Sequence, residues 1–305
     1  MTVLFYSPDA CQLHRPNPGH PEAAARLTAA VEALRAADLP HVVWQDDAPP
    51  CDMSAYAAAH DSDYIAAVRE LIPVAGYNFL DDETVACPDT LRALRAATGA
   101  VLDAVDKIAA ATQTQAFCAI RPPGHHAHRD HGGGFCFFNH IAVAAQAALA
   151  KPPIGRVAIL DFDVHHGDGT ADIVGGAENI LFCSTYQEGL DGTPAAPLPA
   201  NVLAKGFPAG AAVNILLDYW EQVLLPAVGD FKPDMILVSA GFDAHRDDPL
   251  ADLSLSSEDY GRLMQLIRQT AEACCQGRIV AVLEGGYDAG ALAESLVASM
   301  KALTP

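Results

Sequence analysis

Six short runs of the chain are apolar throughout or nearly so: Val3–Tyr6, Ala116–Ile120, Val157–Phe162, Ile180–Cys183, Met235–Val238 and Ile279–Leu283. Alternation of apolar and polar residues marks a strand with one wet face. Continuous apolarity marks a strand covered on both faces. Between these runs lie stretches with apolar residues three and four apart, which predict helices over Pro21–Ala37, Thr90–Ala111, Asn139–Ala150, Tyr219–Val228, Ser256–Cys275 and Ala289–Ala302. Strands alternating with helices predict an α/β fold built on a parallel sheet with helices on both faces. There is no internal repeat, charge tract or low-complexity linker. The Pro/Ala-rich stretch Gly189–Ala200 reads as a surface loop, so one domain over residues 1–305 is expected.

Composition narrows the function. Of 305 residues, 51% are hydrophobic and 18% charged, which fits a globular chain. The 18 Lys and Arg against 38 Asp and Glu leave a net charge of −20. That charge argues against sequence-independent binding to nucleic acid and would suit a cationic ligand, or simply a solvated acidic surface. The N-terminal segment lacks a basic region ahead of its short apolar run, so no signal peptide is expected. No apolar stretch reaches the length of about 18 residues that a membrane span needs. The eight cysteines form no CxxC pair, which predicts reduced thiols in a cytoplasmic protein rather than a structural zinc site.

Histidine is unevenly spread. Seven of the 12 fall between His125 and His166, namely His125, His126, His128, His131, His140, His165 and His166. Imidazoles titrate near neutrality and bind metals, so clustering suggests a site. Arg121-Pro-Pro-Gly-His125-His126-Ala follows one predicted strand and is trailed by Gly132-Gly-Gly134-Phe135. Asp161-Phe-Asp163-Val-His165-His166-Gly-Asp168 follows another. Asp-x-His leaving a strand is a plausible pair of metal ligands, with Asp161 and Asp168 able to orient histidine N–H groups. Gly241-Phe-Asp243-Ala-His245 follows a third strand and offers a further carboxylate. Glu284-Gly-Gly-Tyr287 follows a fourth and offers a phenol. Each has a plain alternative: surface solvation for the histidine pair, helix capping for the aspartates, a turn for Gly-Gly-Tyr. Four strand ends each carrying groups fit for one metal site favour chemistry, because open α/β sheets bind ligands at the carboxyl ends of their strands.

The motifs RPPGHHA, GGFCFFN, DFDVHHGDGT, SAGFDAHRDDPL and LEGGYD, together with His20-Pro-Glu22 and His60-Asp-Ser-Asp-Tyr64, closely resemble the histone deacetylase family, nearest to its class II-like bacterial amidohydrolases. The resemblance covers almost the whole chain and implies an arginase-like fold. It implies zinc held by Asp163, His165 and Asp243. It implies His126 as general base and acid with Asp168, His125 as its electrostatic companion with Asp161, and Tyr287 as donor to the carbonyl oxygen. Gly134 and Phe135 would line an acyl-lysine tunnel. A potassium ion would sit behind the zinc, on Asp161 and Ser184 with backbone oxygens of Asp163 and His165. The sequence also departs from the family pattern. Ser184-Thr-Tyr186 replaces Ser-Leu/Ile-His, Leu190 stands where a second tunnel aromatic is common, His140 follows Asn139, and Ala23 follows His-Pro-Glu.

The implied activity is hydrolysis of an N-acetyl amide on lysine, in a peptide or protein. One rival is a small acetylated polyamine. Leu250, where a polyamine-selecting Glu would stand, favours acyl-lysine, while Glu83 or Asp82 could supply charge from another loop. A second rival, of another class, is a non-catalytic scaffold that binds acyl-lysine, against which the intact motif set argues. A homo-oligomer is compatible with the sequence, as is iron in place of zinc.

Overall fold

The computed structural model describes residues 2–110, 114–194 and 197–304. Its strands are β1 (Val3–Tyr6), β2 (Val42–Gln45), β3 (Asn78–Phe79), β4 (Val85–Ala86), β5 (Gln115–Cys118), β6 (Val157–Asp161), β7 (Ile180–Gln187), β8 (Val202–Phe207), β9 (Met235–Ala240) and β10 (Ile279–Leu283). All except β3 and β4 form one sheet in the order β2-β1-β5-β10-β9-β6-β7-β8, and every pairing in it is parallel. The central strands β1, β5, β6, β9 and β10 are buried at every position. This is the physical reason for their nearly continuous apolarity. β3 and β4 make a small antiparallel pair apart from the main sheet.

The helices are α1 (Ala24–Ala37), α2 (Ser62–Leu71), α3 (Thr90–Ala109), α4 (His140–Leu149), α5 (Asp168–Val174), α6 (Val213–Tyr219), α7 (Leu225–Phe231), α8 (Ser257–Cys275) and α9 (Ala289–Ala302). α1, α8 and α9 pack as one layer and α3 with α4 as another, so the sheet is covered on both faces. The fold is α/β with a parallel sheet, as the alternation of runs predicts. No described helix is long and apolar enough to cross a membrane.

Boundaries differ in instructive ways. The helix expected from Pro21 starts at Ala24, because Pro21–Ala23 are committed elsewhere: the Glu22 N–H donates to His20 Nδ1 at 3.0 Å. α3 ends at Ala109, and the expected end at Ala111 lies outside the described residues. Tyr219–Val228 is the middle of a longer helical stretch, Val213–Phe231, in which a π-helical turn at Trp220–Leu224 joins α6 to α7. β7 runs on to Gln187 because β8 pairs with it from Phe182 to Gln187. Two starts are set by capping. Asn139 Oδ1 accepts the Ala142 N–H at 2.9 Å at the head of α4, and Ser256 with Asp259 forms a capping box on α8. The Gly189–Ala200 stretch holds no helix or strand among its described residues, and residues 195 and 196 lie outside them.

One consequence of the strand order matters for function. β5, β10, β9 and β6 are consecutive neighbours at the centre of the sheet. Since all run the same way, the four segments that follow them leave the sheet at one edge and meet there.

Candidate active site

Asp161 closes β6, and Asp163 and His165 sit on the turn beyond it. The Asp163 carboxylate is fixed through both oxygens: Oδ1 accepts the His165 N–H at 2.9 Å and Oδ2 accepts the Gly285 N–H at 2.8 Å. Asp243, two residues past Gly241 beyond β9, is fixed through Oδ1, which accepts the Val164 N–H at 2.9 Å. Asp163, His165 and Asp243 each present one donor atom, and these atoms lie within 4.8 Å of one another. The approach is close enough to require glycine around it. A Cβ on Gly241 would stand 2.0 Å from Asp163 Oδ2, and one on Gly285 would stand 1.9 Å from Asp243 Oδ2.

This donor set fits a metal ion. Asp163 and Asp243 are almost wholly buried side by side. Asp243 Oδ2 has no hydrogen-bond partner, although His165 Nδ1 lies 3.3 Å away. Burial, reinforced by the charge of Asp163, pushes the Asp243 carboxyl up to about 7. Two buried carboxylates facing one imidazole are an unfavourable arrangement until a cation joins them. Two oxygens and one nitrogen, with no fourth protein ligand among the described residues, match an open site of the catalytic type.

Two histidine–carboxylate pairs flank these residues. His125 Nδ1 lies 3.1 Å from Asp161 Oδ2, and its Nε2 lies 3.8 Å from Asp163 Oδ1. His126 Nδ1 lies 2.7 Å from Asp168 Oδ1. Burial works to raise the Asp168 pKa, but His126 and then His128 outweigh it and hold the carboxyl well below its usual range.

The remaining wall comes from the segment after β10 and four loops. A cavity of about 200 Å³ is lined by Glu83, His126, Gly134, Phe135, His165, Leu190, Asp191, Leu250 and Tyr287. Gly134, Phe135, Leu190 and Leu250, the expected tunnel positions, thus line one cavity with His126, His165 and Tyr287. Phe135 and Tyr287 meet edge to face at 5.6 Å. Phe135 adopts φ +67, rare for a residue with a side chain, and its N–H donates to Thr84 Oγ1 at 3.1 Å. Asp161 and Ser184, expected to serve a potassium site, are register partners on β6 and β7, and Ser184 Oγ lies 3.0 Å from His166 Nδ1.

Five supporting residues were given no role by the sequence reading, although all but Arg26 lie within its motifs. Glu284 Oε2 accepts the N–H groups of Gly124 and His125 at 2.7 and 3.2 Å, holding the histidine pair in position; burial raises its carboxyl to about 7. Asp248 Oδ2 accepts the Tyr287 N–H at 2.6 Å, and its Oδ1 the Leu250 N–H at 3.0 Å, so one carboxylate sets two parts of the wall. The Arg26 guanidinium donates to the backbone oxygens of Glu284 and Gly286 and lies 4.6 Å from the Tyr287 ring centroid. Glu22 accepts from both Arg26 and Arg121 in a wholly buried cluster. Apart from Glu22–Arg26, four residues apart, and Asp248–Leu250, two apart, these contacts span long sequence separations, so no local pattern announces them. A charged residue among apolar neighbours, such as Glu284 after β10, was the one usable signal.

The histidine cluster also divides. His140 is buried between Thr98 and the Pro122 carbonyl, and His166 is buried against Ser184. His131 is largely exposed beside Asp130.

Comparison with known proteins supplies the family. Residues 20–303 match the histone deacetylase domain. The chain is 38% identical over 313 residues to an uncharacterized protein of Synechocystis sp., covering 99% of both. It is 32% identical to the polyamine deacetylase HDAC10 of Homo sapiens, over 99% of this chain and 46% of that one. The crystal structure of the HDA15 HD domain superposes with a TM-score of 0.90 at 28% identity, over 99% of this chain and 89% of that one. The chain belongs to the histone deacetylase family and is an enzyme of the deacetylase type.

Proposed function

We propose that this protein is a zinc-dependent amidohydrolase that removes acetyl groups from lysine side chains of peptides or proteins, acting as one catalytic domain over residues 1–305. The observation that carries the reading is the convergence of Asp163, His165 and Asp243 with the His126–Asp168 pair and Tyr287 around one cavity. Zinc on the first three residues would supply Lewis acidity to the scissile carbonyl and to the attacking water. The remaining steps belong to the chain. With Nδ1 committed to Asp168, the Nε2 of His126 is the ring atom left to take a proton from water and return it to the leaving amine. The Tyr287 phenol donates to the charge that develops on the carbonyl oxygen. His125, among Asp161, Asp163 and Glu284, carries positive charge beside the reacting centre. Phe135 and Leu190 exclude bulk water from the acyl chain. Behind the metal, Asp161 and Ser184, with backbone oxygens of Asp163 and His165, would hold a structural potassium ion. Eight free cysteines suit a reducing compartment, and a cytoplasmic location is part of the proposal.

A second reading has its own support. Glu83 and Asp191 line the same cavity, and burial, with Asp81 and Asp191 nearby, raises the Glu83 carboxyl. An acetylated polyamine would bring an ammonium group to that rim. A turnover panel of acetyl-lysine peptides, longer acyl-lysines and acetylpolyamines separates the two readings. The first predicts the highest kcat/KM on acetyl-lysine peptides. Chelation should abolish activity and one equivalent of zinc restore it. Full turnover without a divalent metal overturns the proposal.

A further inference from the structure

The Asp168 carboxylate serves two imidazoles. Its Oδ1 lies 2.7 Å from His126 Nδ1 and also accepts the Gly169 N–H at 2.9 Å. Its Oδ2 lies 3.3 Å from His128 Nε2. The other His128 nitrogen, Nδ1, lies 3.7 Å from Asp172 Oδ2, an oxygen that accepts the Arg129 N–H at 3.1 Å. The order in space is therefore His126, Asp168, His128, Asp172.

An exposed histidine beside an aspartate is ordinarily of little consequence. This one is built in. Its ring stacks on His131 at 4.1 Å and 13°. Its N–H donates to the His131 carbonyl at 2.8 Å. Its own carbonyl lies 2.8 Å from the Nδ1 of buried His60, whose Nε2 accepts the Asn139 N–H at 2.9 Å. With Nε2 an acceptor, His60 Nδ1 carries the proton and donates it. The His128 backbone is thus fixed at two points and its ring backed by His131, with Nε2 toward Asp168.

The need for such a support is visible in a second cavity, of about 270 Å³. It shares His126, Gly134, Glu83 and Asp191 with the first and opens onto Asp168 and His128. Asp168 is 31% exposed there. The carboxylate torsion is broad and roughly two-fold, so an unpinned Asp168 could turn its oxygens to water.

We propose that His128 is a positioning residue for catalysis. It holds Asp168 Oδ2 so that Oδ1 stays on His126 Nδ1, which keeps that nitrogen protonated and leaves His126 Nε2 open to substrate. Burial works to lower the pKa of His128, but Asp168 and then Asp172 outweigh it. An imidazolium on Oδ2 is the stronger clasp. The idea rests on the amide-hydrolase reading for its kinetic test and on geometry alone for its spectroscopic one.

The experiment compares His128→Leu and His128→Gln in the zinc-loaded full chain. His128→Leu should lower kcat about tenfold, with KM within about twofold, the usual scale for losing the partner of a site histidine. His128→Gln, whose amide can still donate to Oδ2, should recover most of the loss. In an Asp168→Ala background His128→Leu should cost nothing further, because its effect passes through the missing carboxylate. Equal losses in both backgrounds, or a loss confined to KM, overturn the proposal. Independently of turnover, long-range proton–nitrogen NMR of His126 should show a single Nδ1–H tautomer in the native chain and a mixture in His128→Leu. An unchanged tautomer in that variant overturns the proposal even if the native chain hydrolyses no amide, a result that would reject the functional reading instead.

Discussion

His125 and His126 are chain neighbours with ring centroids 4.1 Å apart, and each has an aspartate on Nδ1, yet their environments drive them in opposite directions. For His125, burial works to lower the pKa, but the carboxylates of Asp163 and Asp161 outweigh it and the net shift is well upward. For His126, burial and the charge of His125 together lower the pKa, and Asp168 offsets only part of that. The same dipeptide thus yields a group suited to stay charged and one suited to accept a proton. The difference lies in how many carboxylates each imidazole has and with whom it shares them. Pairs of titratable groups pushed apart in this way mark acid–base assignments.

The sharpest break of that comparison is to delete each ring. His126→Ala should lower kcat by about 10²- to 10⁴-fold, the range for a general base. His125→Ala should cost only about 10- to 100-fold, as loss of a supporting partner. Steady-state kinetics at matched zinc content checks the ordering, and a larger loss in His125→Ala reverses the assignment. Next in size is Tyr287→Phe, which removes a donor that neither histidine can replace. A fall of about 100- to 1000-fold in kcat with little change in KM is expected. A fall below about fivefold would remove Tyr287 from the reacting centre.

A smaller effect concerns histidines that resemble His126 but lack its carboxylate. Burial lowers His60 and His140 to about 4 each. A folded-state pKa below the unfolded value near 6.5 means that the unfolded chain binds more protons, so stability falls as pH drops from about 6.5 to 4. His125, shifted upward, contributes fully below 6.5 and changes nothing in that window. Asp243 and Glu284, raised to about 7, act the other way in the metal-free protein, so the clean readout is a difference: as pH falls from about 6.5 to 4, the thermal midpoint of His140→Gln should rise relative to that of the native chain. An identical pH dependence in the two chains contradicts this. Smallest is Leu190→Phe in the lining of the same cavity. Losing room for added methylenes is worth about 1–3 kcal/mol, so kcat/KM should shift toward acetyl over longer acyl groups. An unchanged acyl preference means that Leu190 does not face the substrate.

What the sequence made legible follows one physical rule. β1 and β10 keep the bounds that their apolar runs predict, because burial on both faces leaves nothing else for those positions to be. β2 and β8 left no such trace. β2 is an edge strand that is half exposed, and β8, the other edge, carries Ala204, Lys205 and Gly206 in its middle. At the site, residues that meet through the strand ends were named from motifs. The roles of Glu284, Asp248 and Arg26 were not legible there, because their work is to hold backbone atoms of other segments.

Gly241 and Gly285 carry a consequence for variation across generations. Each borders a carboxylate so closely that even a methyl group would fall on an oxygen of the opposite aspartate. A saturation library selected for activity should therefore leave two silent columns at these positions, accepting no other residue. Positions such as Gly229, where an added Cβ meets nothing within 4 Å, should fill freely. Inheritance at the floor of the site is thus restricted by empty space that must remain empty.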